Sequence, residues 1–175
     1  RSRAGGEEGS WGRAINFAKH WRLHQLALGA DFNAGRVTYT QYMQLGAIND
    51  DREVAADPAQ PVDFFSGVTG TSQAFGVFAT DTWTVRPGTH ITGALRWNAS
   101  RVRNALSTAD DGTLPEANFI YRKLNPALGI AQRIDGAWTA FANLSQSNRV
   151  PTVIELGCAN PGQPCRLPAG LQSDP

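Results

Sequence analysis

The sequence predicts an all-β fold, an antiparallel up-and-down meander whose roughly six strands form an arc of a transmembrane β-barrel. Three observations support this prediction. Apolar and polar residues alternate with a period of two, as expected for strands with two different faces. Turn residues punctuate the chain, which contains 18 Gly and 10 Pro in 175 residues, and this favours strands over helices. Short and long connections alternate from the first predicted strand to the last.

The clearest unit is a β-hairpin at Phe75–Asn98, FGVFATDTWTVRPGTHITGALRWN. Pro87-Gly88 predicts its turn, because Pro presets φ and Gly tolerates a positive φ. In the second strand, one face carries Ile91, Gly93, Leu95 and Trp97, and the other carries His90, Thr92, Ala94, Arg96 and Asn98. We therefore expect the third and fourth strands here, the fourth running to about Ala105, with one apolar face and one polar or small-residue face.

Two strands are predicted before this hairpin. Residues 1–10 are polar and rich in glycine, and we expect them to be loop. The first strand is Trp11–Ala18. The second runs from about Leu23 to Gln44, with a bulge predicted at residues 33–35.

Two more strands are predicted after the hairpin. The fifth is Asn118–Arg133. It contains Pro126, which removes a donor from the hydrogen-bond ladder, so local irregularity is expected there. The sixth strand runs from Ala137 to about Arg149 and follows the turn signal Asp135-Gly136.

The connections between these strands differ systematically in length. The short ones are predicted at residues 19–22, 86–89 and 134–136, and the long ones at residues 45–71, 107–117 and 151–175. Every second connection of a meander emerges at the same end, so tight turns share one end and long loops the other. Outer-membrane barrels have this asymmetry, with short periplasmic turns and long extracellular loops. Trp21, Trp83 and Trp138 lie beside the short turns and are predicted to form an aromatic girdle.

Composition excludes several other classes of protein. The 16 Lys and Arg residues nearly balance the 15 Asp and Glu residues and are scattered, so no nucleic-acid partner is expected. No apolar run approaches the roughly 18 residues of a membrane helix. The chain begins at Arg1 without a signal-peptide pattern, and it is interpreted as a processed product or a fragment.

Four stretches, taken in order, resemble the barrel of a TonB-dependent outer-membrane receptor. They are FGVFATDTW at 75–83, GALRWN at 93–98, LNPALGI at 124–130 and SQSNRVPTVIEL at 145–156. The last stretch continues into GCANPGQPCRLP at 157–168, a loop associated with one branch of these receptors. The resemblance covers most of the chain from about His24 onward, and the ordered set is more specific than any single stretch.

The resemblance implies a large closed barrel in the bacterial outer membrane, with an N-terminal plug domain in its lumen. It implies import of a scarce small molecule, such as a ferric siderophore or other metal chelate, haem or cobalamin. The energy would come from the TonB complex through the plug region. Residues 1–175 are expected to be a fragment of the barrel domain, surrounded by outer-membrane lipid, without the plug or a closing strand. The chain is expected to be no enzyme and to need no cofactor.

The two cysteines, Cys158 and Cys165, are predicted to form a disulfide. Maturation in the periplasm is oxidising, and the two Pro and one Gly between them can bend the short loop until the sulfur atoms meet. A metal pair is the alternative, but it would need further ligands, and no His or other Cys lies nearby. Two free thiols would suit a cytosolic protein better.

Arg96, Asn98 and Arg149 are predicted to point into the lumen, opposite the lipid-facing Leu95, Trp97 and Leu144. Polar residues in a lumen satisfy one another, water or a plug. A sharper hypothesis is contact with an anionic ligand such as a ferric siderophore, because guanidinium groups suit carboxylates and catecholates. Glu155 could pair with an arginine in the outer rim.

No catalytic, cofactor-binding or metal-binding residue is predicted. His20 and His24 are four residues apart and would share a face of one strand, but no third metal ligand is suggested. The pairs Asp50-Asp51 and Asp110-Asp111 lack the spacing of a calcium loop. The sequence contains no nucleophile motif and no phosphate-binding loop.

The main alternative function is a soluble all-β binding module, such as a carbohydrate-binding sandwich. Such a module would turn its apolar face to a core and its polar face to water. A receptor barrel would place apolar residues against lipid and small or polar residues inside. The surroundings of the apolar face therefore discriminate between the two.

Overall fold

A computed structural model describes residues 2–44, 46–48, 52, 54–56, 62–108 and 112–158. Within these residues the elements are β1 Ser2–Trp21, β2 His24–Gln44, β3 Gly46–Ile48, β4 Val54–Ala56, β5 Val62–Arg86, β6 Thr89–Thr108, β7 Gly112–Thr113, β8 Ala117–Arg133, β9 Thr139–Ser145 and α1 Val153–Cys158. No helix in this part of the chain is long and apolar enough to cross a membrane.

The main sheet is an antiparallel meander. Its strand order is β1-β2-β5-β6-β8-β9, with β7 paired to the end of β6. The short strands β3 and β4 form a separate two-stranded sheet within the connection between β2 and β5. The predicted all-β fold and its up-and-down order of six main strands are therefore confirmed.

The sheet has two faces. The pairing between neighbouring strands shows which residues lie on the same face. Trp97 lies opposite Val77, Val77 opposite Ala30, and Ala30 opposite Ile15. Residues directly opposite in an antiparallel pair point to the same side, so these side chains share one face. We call it the Trp face, because Trp11, Trp21, Trp83 and Trp97 all lie on it by the same alternation. The other face is the helix face, because α1 packs against it.

The Trp face is apolar and open. Its large apolar side chains are exposed, among them Ile15 (73%), Phe17 (58%) and Leu124 (50%). In the described part of the chain no layer covers this face, and the buried apolar core consists of Val68, Val102, Leu106, Val153 and Leu156 on the opposite side. A soluble domain would bury its apolar face. The arrangement instead requires apolar surroundings for the Trp face.

Aromatic side chains lie at both ends of the apolar part of the Trp face. Trp21 and Trp83 lie beside the short turns, as predicted. At the opposite end the Trp11 and Phe32 rings are 5.4 Å apart, and the Phe75 and Trp97 rings are 6.3 Å apart. Phe75 and Trp83 are separated by about 26 Å along β5, since a strand rises about 3.3 Å per residue. With a strand tilt of about 35–45°, the band between them is about 19–22 Å high, near the height of an outer-membrane barrel's apolar band.

The first two strands are longer and more regular than predicted. Residues 2–10, expected to be loop, belong to β1, and each pairs with a residue of β2. The bulge predicted at residues 33–35 is absent, because the register passes through them without a shift on both sides. The register of the pair β2–β5 shifts between Met43 and Gln44 instead. Residues 2–10 were wrongly predicted to be loop because their sequence is polar and rich in glycine. Such a segment still forms a strand when a neighbouring strand, here β2, provides its backbone hydrogen-bond partners.

The predicted long loops are wrong where strands extend into them. Residues 62–71 of the loop predicted at 45–71 are the beginning of β5, and residues 107–108 of the second loop are the end of β6. The third loop, predicted at 151–175, contains α1. The sixth strand was predicted to reach Arg149 but ends at Ser145, so Arg149 lies on no strand.

Pro126 is accommodated at the end of a pairing. It lies opposite Leu95 of β6 without a register shift, so the irregularity predicted there is absent on this side. On the other side its carbonyl accepts a hydrogen bond from Gln146 N (3.0 Å). The backbone N and O atoms of one strand residue point to the same neighbouring strand. The nitrogen of Pro126, which has no hydrogen to donate, therefore faces β9 at the point where pairing with β9 ends, at Ser145.

The short turns keep the hairpins tight. Gly88 has φ +84°, a conformation that L side chains rarely adopt, and it completes the predicted Pro87-Gly88 turn. At the third turn, Asp135 Oδ1 accepts hydrogen bonds from Ala137 N (2.7 Å) and Trp138 N (2.9 Å). This side-chain turn is the local motif for which Asp is favoured.

Substitutions on the two faces of β6 test directly whether lipid covers the Trp face. If lipid covers the Trp face, Leu95→Arg should destabilise the folded protein by about 2–4 kcal/mol near the bilayer midplane, and less toward an interface. Ala94→Arg places the same charge on the helix face and should be tolerated. The yield of folded, membrane-inserted protein measures both effects. Equal yields, or a lower yield for Ala94→Arg, would contradict the face assignment.

Candidate functional site

The chain that follows β9 crosses the helix face of the sheet. Asn125 Nδ2 on β8 donates a hydrogen bond to Asn148 Oδ1 at 2.8 Å, which anchors the crossing segment to the sheet. From there residues 149–152 lead into α1, which contacts β6, β5 and β2. This segment lies toward the end of the strands that is opposite the short turns. It therefore builds a second layer on one half of the helix face.

The helix α1 begins with a capping box. Thr152 Oγ1 accepts a hydrogen bond from Glu155 N (3.2 Å), and Glu155 Oε2 accepts one from Thr152 N (2.7 Å). These reciprocal bonds satisfy backbone donors that a helix start leaves without partners. A six-residue helix is too short to be stable alone, so capping and packing together hold it.

Arg149 holds the same carboxylate from the preceding segment. Its Nη1 and Nη2 atoms donate to Glu155 Oε2 and Oε1, each at 2.9 Å, in a bidentate pair. Hydrogen bonds from Arg149, and then from the Thr152 backbone, lower the pKa of Glu155 to about 2 from its ordinary 4.5. The hydrogen bond and the charge of Glu155 raise the pKa of Arg149. Both groups are thus ionised throughout the physiological range.

Apolar packing fixes α1 on the sheet. Val153 and Leu156 are buried against Val68 of β5 and against Val102 and Leu106 of β6. Full burial of one such side chain stabilises by about 1.5–3 kcal/mol. Gly157 permits the close approach, because a Cβ atom there would lie 2.7 Å from the methyl groups of Val68.

Beside α1 lies a cleft of about 290 Å³ that is bounded by the crossing segment and four strands. Ser72, Ser100 and Thr152 supply hydroxyl groups, and Glu8 supplies a carboxylate. The apolar part of the lining is Val37, Val102, Val150, Pro151, Val153 and Ile154. The strand residues that alternation places on the helix face thus meet residues 150–154 in one cavity of mixed polarity.

The four predicted contact residues fall into two separate groups. Arg149 and Glu155 form one ion pair, and each directly adjoins in sequence a residue that lines the cleft, Val150 and Ile154. Arg96 and Asn98 lie on the helix face of β6. Asn98 is two residues from the cleft residue Ser100, about 7 Å at the rise of a strand, and Arg96 is four residues from it, about 13 Å. The spacing of these residues in the sequence did not predict this separation.

Arg96 is engaged in a network of its own. Its Nη2 atom donates to Asp31 Oδ1 (2.9 Å) and Oδ2 (2.7 Å), and its Nε atom donates to Asn98 Oδ1 (2.8 Å). The guanidinium group also lies over the Phe78 ring at 5.9 Å. Three strands are thereby tied together across the helix face. Asp31 was not singled out in the sequence, although its place on the polar side of an alternating strand was visible.

The histidines do not behave as a pair. His20 lies opposite Gln25 and His24 opposite Trp21, so the turn between them places the two side chains on opposite faces, and the shared face expected from their spacing is wrong. His24 Nδ1 instead contacts Asp81 Oδ2 at 2.7 Å and stacks on Trp83. Among the residues that the structure describes, no three His, Cys, Asp or Glu side chains lie together as metal ligands would.

The predicted disulfide lies outside the described residues. Cys158 is the last residue of α1, but its side chain is not described, and neither is Cys165. The four acidic residues of the other two pairs also lie outside the described residues: Asp50, Asp51, Asp110 and Asp111. The disulfide stays a prediction.

One signal for the site was present in the sequence and was missed. Thr152-Val153-Ile154-Glu155 has the spacing of a capping box just before an apolar stretch, which predicts a helix start. A loop is expected there instead, because residues 151–175 have little apolar content.

The lowered pKa of Glu155 predicts how α1 docking depends on pH. A lowered carboxyl pKa stabilises the docked state fully above the ordinary value of 4.5, and this contribution is lost as the pH falls toward 2. The hydrogen-exchange protection factors of residues 153–157 should therefore fall as the pH is lowered through that window. Glu155→Gln should cost about 1 kcal/mol of docking through the weakened cap and remove the pH dependence. The control variant is Glu7→Gln, on the Trp face of β1, which should behave like the unchanged chain. If Glu155→Gln keeps the pH dependence, Glu155 is not the group that causes it.

Comparison with known proteins agrees with the geometry. The family model described as "TonB dependent receptor-like, beta-barrel" matches residues 3–171. No curated protein sequence matches the chain.

Three solved structures share the fold at low sequence identity. The ferric yersiniabactin uptake receptor FyuA from Yersinia pestis is 11% identical, with a TM-score of 0.66 over 81% of this chain and 21% of that one. The ferric citrate transporter FecA is 15% identical, with a TM-score of 0.58 over 93% of this chain and 24% of that one. The siderophore receptor PiuA from Acinetobacter baumannii is 12% identical, with a TM-score of 0.56 over 82% and 24%.

The chain thus spans between a fifth and a quarter of the length of these receptors. The open apolar face, the meander and the family match over residues 3–171 agree with one another. The chain belongs to the TonB-dependent receptor β-barrel family, whose members are bacterial outer-membrane proteins.

Proposed function

We propose that the protein containing this chain imports a ferric chelate across the outer membrane, with energy supplied by the TonB complex. The support is the family match together with three structural neighbours whose names state ferric yersiniabactin uptake, ferric citrate transport and siderophore reception. Haem and cobalamin are the other ligand classes that the resemblance implies. The activity proposed is binding and transport, and no residue is assigned a catalytic role.

The barrel provides the wall of this proposed route. Outer-membrane lipid covers the Trp face, and the helix face lines the lumen. The TonB complex would act through a plug region elsewhere in the receptor, and residues 1–175 would be an arc of the barrel domain. Family membership favours this reading over the soluble binding module, and so does the open apolar face.

The observation that carries the ligand proposal is the cleft beside α1. It lies on the lumen side, at the end of the strands opposite the short turns, which is the extracellular end in an outer-membrane barrel. Its volume of about 290 Å³ is near the lower limit of small-molecule pockets, which is about 300 Å³, so it would hold part of a chelate. Hydroxyl groups beside apolar side chains suit ligands with hydrogen-bonding groups on an organic frame.

Arg36 of β2 also lines the cleft, but alternation places it on the Trp face, so Arg149 is the described cation that we consider for an anionic chelate. Its side chain is 66% exposed although it is paired with Glu155, and it directly precedes Val150 in the cleft wall. A carboxylate or catecholate could share the guanidinium group, because such a group has five donors. Glu155 then positions Arg149. Asn98 and Arg96, two and four residues along β6 from Ser100, would contact a ligand that extends deeper into the lumen.

A bulky side chain in the cleft tests this proposal. Ser100→Trp fills the cleft from β6 and should weaken binding of a ferric chelate by about tenfold or more, equivalent to about 1.4 kcal/mol. Ala99→Trp is the matched control, since it adds the same side chain on the Trp face beside Phe75. Binding to the full-length receptor is measured with ferric citrate, a ferric catecholate, a ferric hydroxamate, haemin and cobalamin. Equal losses in both variants would contradict the cleft, and binding of haemin or cobalamin alone would contradict the ferric chelate.

We also propose that Cys158 and Cys165 form a disulfide that orders the segment after α1. Closing so short a loop contributes about 2–3 kcal/mol in the loop-closure model, and the effect should be local. The double variant Cys158→Ser, Cys165→Ser should assemble normally but bind ligand more weakly, since more ordering must accompany binding. Non-reducing peptide mapping of the full-length receptor should recover a cross-linked peptide. Two thiols that alkylate fully would refute the disulfide.

A further inference from the structure

The cleft beside α1 has a carboxylate on the side formed by β1. Glu8 lies on the helix face of β1, opposite Val37 of β2, and both residues line the cleft. Among the lining residues that the structure describes, Glu8 is the acidic one. Residues 2–10 were expected to be loop, so it is the pairing of β1 with β2 that brings this carboxylate to the cleft.

Glu8 has no charge partner in the described part of the chain. Its side chain is exposed, and it forms no ion pair or hydrogen bond with any other described residue. Its nearest neighbours on the helix face are uncharged, namely Gly6 and Ser10 along β1 and Val37 on β2. The negative charge of Glu8 is therefore available to a ligand in the cleft.

The two arginines near the cleft do not change this conclusion. Arg36 belongs to the Trp face by alternation, whereas Glu8 belongs to the helix face. Arg149 holds Glu155 through two hydrogen bonds of 2.9 Å. It also follows Asn148, which is bound to Asn125 of β8, so the crossing segment enters from the β8 side of the sheet. Positive and negative groups thus lie on opposite sides of the cleft.

The floor of the cleft leaves room between these two sides. Gly35 of β2 lies between Ser10 of β1 and Ser72 of β5 on the helix face. A Cβ atom on Gly35 would lie 3.3 Å from Ser72 Oγ and 3.6 Å from Ser10 Cβ, so the glycine keeps this floor low. The strands β1 and β6 are three strand spacings apart, about 14 Å across the sheet. The cleft therefore suits an elongated ligand with different groups at its two ends.

We propose that Glu8 is a specificity-determining residue of the cleft, which selects a ferric chelate that carries an ammonium group. An ammonium group has three donors and a compact positive charge, and its hydrogen bonds to a carboxylate are stronger than those between neutral groups. The oxygen atoms that bind the iron would accept hydrogen bonds from Arg149. The inference rests on the proposed import of a ferric chelate and narrows its ligand class.

The same charge should act against polyanionic chelates. Ferric citrate would bring further carboxylates close to Glu8, and like charges placed together across an interface are unfavourable. The hydroxyl groups of Ser72 and Ser100 are neutral and can serve either kind of chelate. Glu8 is thus the described lining residue whose charge distinguishes the two kinds.

The first test compares two chelates that differ in one charge. Ferric desferrioxamine B is a trihydroxamate with a free ammonium group, and N-acetylation turns this group into a neutral amide without altering the iron centre. We expect the unchanged full-length receptor to bind the ammonium form about fivefold more tightly, the upper range for an exposed charge pair. High salt should narrow the difference. Equal affinities, tighter binding of the acetylated form, or binding of ferric citrate alone would overturn the proposal.

The second test assigns the preference to Glu8. Glu8→Gln should abolish the difference between the two hydroxamates and strengthen the binding of ferric citrate, and Glu8→Lys should reverse the preference. The matched control is Glu7→Gln, which removes the same charge from the adjacent residue on the Trp face and should keep the fivefold ratio. A ratio that survives in Glu8→Gln, or that falls equally in Glu7→Gln, would refute the role of Glu8.

The outcomes separate this inference from the function on which it rests. If the receptor binds ferric chelates without regard to the ammonium group, the role of Glu8 is refuted and the import of a ferric chelate stands. If it binds haemin or cobalamin and no ferric chelate, both proposals are refuted.

Discussion

The continuous register of the antiparallel ladder is the constraint on which the rest of this structure depends. In the described strands β1 to β8, the register of the main ladder shifts between Met43 and Gln44 and between Thr84 and Arg86, in both cases near a strand end. A slip of one residue would move every side chain of a strand to the opposite face. In a bilayer the ladder also satisfies backbone groups that lipid cannot. Pairing and face assignment are therefore one and the same requirement.

The two faces of the sheet have different roles. On the Trp face, aromatic rows bound an apolar band that contacts lipid. On the helix face, small and polar residues leave room for a second layer, and the chain after β9 fills part of it. Val153 and Leu156 supply the apolar contacts of that layer, while the carboxylate of Glu155 both caps α1 and holds Arg149. The cleft exists because this layer covers only part of the helix face.

The arginines show how position decides the role of one residue type. Arg96 is satisfied by Asp31 and Asn98 on the helix face and ties strands together. Arg149 directly precedes the cleft residue Val150, and its side chain is 66% exposed although it is paired with Glu155. Arg101 and Arg122 lie on the opposite face, beyond the apolar band, where few described carboxylates meet them. Similar side chains thus tie strands together on the helix face, remain exposed next to the cleft, or lie beyond the apolar band of the Trp face.

The sequence by itself determined the meander, the hairpin turns and the faces of the central strands, because period-2 alternation and turn residues are local signals. Tertiary structure decided the rest. The polar half of β1 and the start of β5 became strands because neighbours completed their ladders. The capping box at Thr152 was readable, but its helix is too short to form without Val68 and Leu106, which lie far away in the sequence. The cleft likewise joins β1, β2, β5 and β6 to residues 150–154, and only folding brings such distant segments together.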